Sequence, residues 1–253
     1  MNFTGFLTLT ERECRRFLRV WQQTIIPPVI TSLLFILIFG YSLGSRISGI
    51  GEVSYLEFIL PGLLMMGVIM SAYMNTLSSL YISKFQGNVQ ELLIAPLSYW
   101  EIIFALTIAA LLRAVTVGMS ILVVSLLFTP VSIHSFLVLA YFMLAVSLLF
   151  AFAGIATGLW ASSFDQMNVF ATFLITPLTY LGGVFYSVSM LPSFWQTITK
   201  FNPILYMVDG FRYGFLGRSD ISLWISMTLV FALALFFFVL CVQLLKKGYK
   251  LRT

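Results

Sequence analysis

Residues 177–196 read PLTYLGGVFYSVSMLPSFWQ, and they interrupt a chain that is otherwise close to continuous hydrocarbon. The stretch carries a proline, a Gly182-Gly183 pair, several hydroxyls and a second proline just ahead of a tryptophan. A backbone in lipid must satisfy its own amides, so a helix is broken there only against protein or water. Gly182-Gly183 permits a bend or a close helix approach. Leu191-Pro192 then starts a new element, and SFWQTITKF reads as a short amphipathic helix. Asn202-Pro203 ends it, and ILYMVDGFRYGFLG begins a second. Neither is long enough to span a membrane, yet both are rich in apolar residues. The pattern predicts a re-entrant pair of short helices over 191–217, dipping back into one leaflet. Asp209 and Arg212 stand three apart and pair within that second helix.

The composition around this break says why lipid is the solvent. The chain has 253 residues, 60% hydrophobic and only 9% charged, where a soluble domain carries about 25% charged residues. The net charge of +5 does not indicate nucleic acid, because the positive residues sit at the two ends. Arg12, Arg15, Arg16 and Arg19 form one cluster; Lys246, Lys247, Lys250 and Arg252 form the other. That is the pattern of positive-inside anchoring. Cys14 and Cys241 lie beside these clusters, on the reducing side, so no disulfide is expected.

Apolar runs of roughly 20 residues recur at about 25–44, 58–81, 100–128, 136–161, 168–190 and 223–245. The expected fold is an all-α integral membrane domain over 1–253, with six transmembrane helices in a bundle over 25–245. An even number places both termini on one side. With both inside, the cytoplasmic ends and loops hold nine of the 14 Lys and Arg residues, Lys84 included. Arg46, Lys200, Arg212 and Arg218 fall outside, and Arg113 lies within the third span.

Ahead of the first span, residues 8–24 predict an N-terminal interfacial amphipathic helix. Cys14, Phe17, Leu18, Trp21 and Ile25 follow a helical rhythm, with the four arginines on the opposite face toward headgroups. Thr10 and Glu13 have capping-box spacing. Pro27-Pro28 marks the turn into the span. The same helix reads equally as a plain anchor.

There is no G-x-x-x-x-G-K-[ST], so no P-loop ATP site is expected. His134 is the single histidine, which leaves no His-based metal site and no Ser-His-Asp triad. Arg113 is the only ionisable residue between the interfaces, whereas ion-coupled transport uses carboxylates or histidines along the path. Arg113 reads either as a structural residue satisfied by carbonyls and hydroxyls or as a contact for an anionic substrate group. Ser71, Asn75 and Ser78 share one face of the second span, as a path wall or as interhelical hydrogen bonds. Gly154 and Gly158 form a G-x-x-x-G read as internal helix packing.

Between spans two and three lies KFQGNVQELLIAPLSYW. Gly87 ends one helix, Asn88 caps another, Glu91 closes the box, and Pro96 stops the turn. Val89, Leu92 and Leu93 make a short apolar face. Residues 87–96 therefore predict a separate cytoplasmic helix suited to a partner's groove, or one that rests on lipid.

Here the chain resembles a family. QELLIAPLS (90–98) is similar to the coupling-helix region of ABC-2 type permeases, the membrane subunits of ATP-driven exporters. YLEFILPGLLMM (55–66) is similar to the family's entry to span two. The opening stretch, extended to residue 217, matches its region around spans five and six. The resemblance covers essentially the whole chain and is nearest to small bacterial inner-membrane permeases. It implies two ATPase subunits docked on the coupling helix, a second copy of this chain, and a surrounding lipid membrane. It implies no cofactor on this chain, with ATP and Mg2+ used by the partner ATPase. It implies that spans two and five face the path. Tyr180, Gly182, Gly183, Pro192, Trp195, Asn202, Pro203 and Tyr206 would then form an outer gate, the alternative being a static plug. Asp165 reads as a helix cap, and by family position also faces the ATPase. An amphipathic, lipid-linked or drug-like cargo is expected. The alternatives are a lipid-modifying membrane enzyme, which would depend on His134, and a passive channel, which would need no ATPase.

Overall fold

A computed structural model describes residues 2–43 and 53–249, with the side chains of 41–43 and 91–93 outside the description. Arg46, Lys250 and Arg252 of the charge pattern lie outside it too. The chain is all-α. In order come α1 (Phe3–Arg19), α2 (Trp21–Phe35) running into a π-helical stretch Ile36–Leu43, α3 (Tyr55–Phe85), α4 (Val89–Ile94), α5 (Tyr99–Ser125) and α6 (Phe136–Trp160). Then follow α7 (Phe164–Phe170), a π stretch Ala171–Ile175, α8 (Thr176–Tyr180), α9 (Ser193–Thr199), α10 (Pro203–Leu216) and α11 (Leu223–Lys246). Among the described residues, five helices are long and apolar enough to cross a membrane: 21–40, α3, α5, α6 and α11.

Two of these begin with reciprocal caps that the sequence reading did not single out. Ser54 accepts from the Glu57 amide while Glu57 reaches back to the Ser54 amide, and Ser98 with Glu101 repeats the arrangement at α5. Each box satisfies two amides that a helix start leaves open.

α3 is the axis of the bundle, buried along most of its length and packed by α5, α6, α10 and α2. Its contact with α6 depends on glycine. A Cβ on Gly154 would stand 2.3 Å from Thr76 Oγ1 and 2.4 Å from Tyr73 O. The G-x-x-x-G motif is thus internal packing. A second pair, Gly210 and Gly214, seats α10 on α6: a Cβ at Gly210 would stand 2.0 Å from the Phe142 ring.

Three expectations need correction. The helix expected over 168–190 runs from Phe164 through the π stretch to Tyr180 and stops there. The Leu181 and Gly182 amides turn back to Pro177 O and Thr179 O, and Gly183 takes φ +75°. The Gly182-Gly183 pair ends the helix; it does not bend it.

The helix expected at 8–24 spans 3–19, because Asn2 is its cap and accepts from the Gly5 amide at 3.0 Å. Thr10 sits mid-helix and donates to Phe6 O, so Thr10 and Glu13 form no capping box. The break toward the next helix falls at Val20. Pro27 and Pro28 lie inside α2, where each removes an amide donor and crowds the carbonyl four residues back, a local cost that does not end the helix.

The arginine face of α1 also divides. Leu9, Glu13 and Phe17 are the buried stripe, while Leu18 and Trp21 are about half exposed. Asn2 N donates to Glu101 Oε1 at the start of α5 (2.7 Å), and Arg16 reaches Asn75 on α3. α1 therefore runs alongside α5 and antiparallel to α3, for about 21 Å.

Candidate functional site

One end of the bundle gathers the residues expected to meet a partner. α3 stops at Phe85, and Gly87 takes φ +77°, a left-handed residue that turns the chain into α4. Asn88 precedes α4, and its side-chain amide donates to Gln86 Oε1. Val89 is buried in an apolar cluster with Leu9, Leu80, Ile102 and Leu159, which fixes the start of α4 to the bundle. The backbone of Glu91, Leu92 and Leu93 is helical; their side chains lie outside the described residues. Ile94, not singled out from the sequence, is 83% exposed at the far end of α4. Pro96 closes the segment and, with α1, borders a groove lined by Asn2, Gly5, Leu9 and Arg12. The signal for Ile94 was its place at the end of the apolar run ELLI.

Asp165 is exposed in the first turn of α7. The cap itself is Ser163, whose hydroxyl accepts from the Gln166 amide, so the cap assignment to Asp165 is corrected. Phe164 beside it packs on Tyr81 and Phe85, with ring centroids 4.9 and 5.2 Å apart, and this brings Asp165 to the α4 end. Lys84 Nζ donates to Leu159 O and Ala161 O, both at 2.8 Å, and joins the ends of α3 and α6 at the same level.

Next to this end, α1 inserts charge into the bundle. Glu13 accepts from Ser79 Oγ at 2.6 Å, from Arg16 Nε at 3.0 Å and from Arg12 at 3.1 Å. Arg16 also donates to Asn75 O at 2.8 Å and to Ser78 Oγ at 3.3 Å. Arg16 is thus a buried-side bridge, and the expectation that all four arginines face headgroups is corrected. Arg12, Arg15 and Arg19 are exposed, and Arg15 pairs with Glu11. Burial, and then the charge of Glu13, pushes the Cys14 thiol above its ordinary range.

The polar face of α3 is therefore covered. Ser71 and Asn75 are fully buried within one chain, and α1 lies over Asn75 and Ser78. Arg113, in the middle of α5, is half-buried, and its Nε has no hydrogen-bond partner among the described residues. The nearby charge it feels is Arg16.

The opposite end holds the residues of the break. Asn202 is its clamp: Nδ2 donates to Leu178 O at 2.6 Å and Oδ1 accepts from the Ile204 amide at 3.0 Å. Pro203 occupies the first turn of α10, and Pro192 precedes α9. Tyr180 packs near Phe35 and Phe185. Tyr206 donates to Lys200 O, and Trp195 is exposed beside Phe194. Gly183 O accepts from Arg212, which also donates to Phe58 O at 3.3 Å and lies 3.8 Å over the Phe58 ring.

Arg212 is only 3% exposed, so it is not the loop charge the sequence suggested. Its approach to Asp209 is long, 3.9 Å. Asp209 instead accepts from the Asp220 and Ile221 amides at 2.9 and 3.0 Å. Burial pushes the Asp209 carboxyl up, opposed by those amides and by Arg212. Asp220 in turn accepts from Ser187 Oγ (2.6 Å) and from the Val188 amide. Asp220 and Ser187 were not legible as partners, being 33 residues apart.

Comparison with known proteins agrees with this architecture. Residues 4–216 match the family model described as ABC-2 type transporter. The chain is 43% identical over 253 residues to the inner membrane transport permease YadH of Escherichia coli strain K12, covering 100% of this chain and 99% of the relative. It is 26% identical over 218 residues to nodulation protein J of Rhizobium leguminosarum bv. trifolii, 81% of this chain and 80% of that one. It is 26% identical over 238 residues to nodulation protein J of Sinorhizobium fredii, 88% of each.

Proposed function

Because this chain belongs to the ABC-2 type transporter family, we propose that it is the membrane permease subunit of an ATP-driven exporter in the bacterial inner membrane. Two copies form the pathway, and two separate ATPase subunits dock at the α4 end. ATP and Mg2+ act on those subunits; this chain supplies the spans. In this reading residues 164–180 are the fifth of six spans, α1 lies at the inner interface, α9 and α10 dip into the outer leaflet, and both termini are cytoplasmic. The cargo is an amphipathic molecule, lipid-linked or drug-like, and the residues from Tyr180 to Tyr206 gate its exit.

The observation that carries the reading is the arrangement of α4. Val89 anchors its first turn in the bundle while Ile94 is left 83% exposed on its last. An exposed large apolar residue on a short, anchored helix suits a partner's pocket. Closure of the ATPase pair would push on α4 and, through Phe85, Phe164 and Lys84, on three helices together. A membrane state that fits the closed ATPase better gains population by that difference in affinity.

The test is co-expression and co-purification with an ABC-type ATPase subunit from the same organism. Ile94→Asp leaves the fold intact, since Ile94 packs on little, and weakens the complex about thirtyfold, as loss of a central apolar anchor does. Unchanged assembly and unchanged ATPase stimulation would remove the coupling role of α4.

A further inference from the structure

The flank of the bundle between α6, the 164–180 helix and α11 holds a cavity of about 430 Å3. Its wall is almost wholly apolar, with Ala153, Leu174, Met207, Phe237 and Leu240 among its residues. Along α6 it extends from Leu149 to Trp160, and along α11 from Leu233 to Leu244. Each run is about 16 Å at the helical rise. One leaflet of the hydrocarbon core is about 15 Å deep. The slot therefore has the reach of a single lipid tail.

Its two ends differ. Trp160 and Tyr249 stand at one, with the Trp160 ring against Phe170 at 5.3 Å. That end is level with Lys84 and α4, since Lys84 bonds the carbonyls just beside Trp160. Pro203, Ile204 and Met207 of α10 roof the other. Trp and Tyr prefer the headgroup level of a bilayer, so the mouth lies where a lipid's polar group sits and the roof lies at mid-depth. α11 is buried over only 22% of its span, so lipid has lateral access. Away from the Trp160 and Tyr249 mouth, the Tyr73 and Thr157 hydroxyls are the polar side-chain groups the described wall offers, which favours a hydrocarbon chain over a file of water. A tail entering from neighbouring lipid loses no hydrophobic stabilisation, and it gains the contacts an empty slot forfeits.

We propose that this slot binds one acyl chain of a bilayer phospholipid from the leaflet on the α4 side. Leu174 and Leu178 of the 164–180 helix and Pro203 border the slot, so it adjoins the proposed path, but tail binding is read by labelling and not by movement of cargo.

The full chain in vesicles of phosphatidylethanolamine and phosphatidylglycerol, a fraction carrying a photoactivatable diazirine near the tail terminus, provides the test. After irradiation, adducts are mapped by peptide mass spectrometry. Adducts at Met207 and at the slot face of α11 near the roof (Leu233, Phe237) exceed those at its outward face at the same depth (Phe231, Phe236) roughly threefold, because contacts in the slot outlast passing ones. Ala153→Trp fills the slot and removes that excess while leaving the outward face labelled. Ala153→Leu, a milder filling, gives a smaller loss and guards against misfolding. Equal labelling of both faces of α11, or an excess untouched by either variant, would overturn the assignment.

Discussion

Glu13→Ala should release α1 from the bundle, and the size of the effect follows from its contacts. The Glu13 side chain is 2% exposed and accepts the Ser79 hydroxyl at 2.6 Å. A buried hydrogen bond to a charged group contributes about 1.5–3 kcal/mol. The Arg16 side chain is 29% exposed, so its pairing is discounted for solvent to about 1 kcal/mol. Arg12 is half exposed and is left out. The sum is about 3 kcal/mol, or roughly a hundredfold in the docking equilibrium. Hydrogen exchange by mass spectrometry reads this directly, since local opening sets amide protection. Amides of α1 from residue 6 to 17 should exchange up to about a hundredfold faster, while those in the middle of α3 stay unchanged. Glu13→Gln keeps an acceptor for Ser79 but loses the charge, and should give about tenfold. A change below about threefold in Glu13→Ala would refute the reasoning, because Leu9, Phe17 and the Asn2 and Arg16 bonds would then hold α1 without Glu13.

Three further outcomes are expected. Gly154→Val drives a side chain into Tyr73 O and Thr76 and should abolish monodisperse recovery in detergent, whereas Gly87→Ala, in open space at φ +77°, should cost only about 1 kcal/mol of left-handed strain. Arg212→Met leaves Asp209 without its cation and two carbonyls without a donor; at about 3 kcal/mol the melting temperature in detergent should fall by about 10 °C. Cys14 has a raised pKa, so at a given pH less of it is thiolate, the reactive form. In a Cys241→Ala background, maleimide labelling should therefore be slower than for free cysteine and climb at higher pH, and Glu13→Gln should speed it.

Much of the architecture was legible because lipid leaves a helix few options. The runs at 58–81, 100–128, 136–161 and 223–245 became α3, α5, α6 and α11 with ends shifted by a few residues. Gly87, Asn88 and Pro96 marked α4, and Pro192, Asn202 and Pro203 marked α9 and α10, since each is a local signal carried by its own backbone chemistry. What was not legible depends on distant residues. Nothing near Arg16 announces Asn75, 59 residues away. Amphipathic rhythm placed the arginines on one solvated face, yet a long side chain can cross its own helix to reach a carbonyl. Gly182-Gly183 gave the position of the break but not its kind, which was decided by the crowding of Ile204 and Leu205. The polar face of α3 was seen, but its cover by α1 was not, because α1 precedes it by more than 50 residues.

Lys84 gives the bundle a yoke. A single ammonium ties the last turn of α3 to the carbonyl end of α6 with short, directional bonds, and Phe85 beside it meets α7 through ring faces. Directional bonds hold their geometry, whereas ring faces slide past one another at little cost. A thrust on the last turn of α3 thus carries α6 with it as a stiff shaft, while the helix that starts at Phe164 has play. Under the proposed coupling, a stroke arriving at α4 would be divided at this level, by the different compliance of two couplings one residue apart.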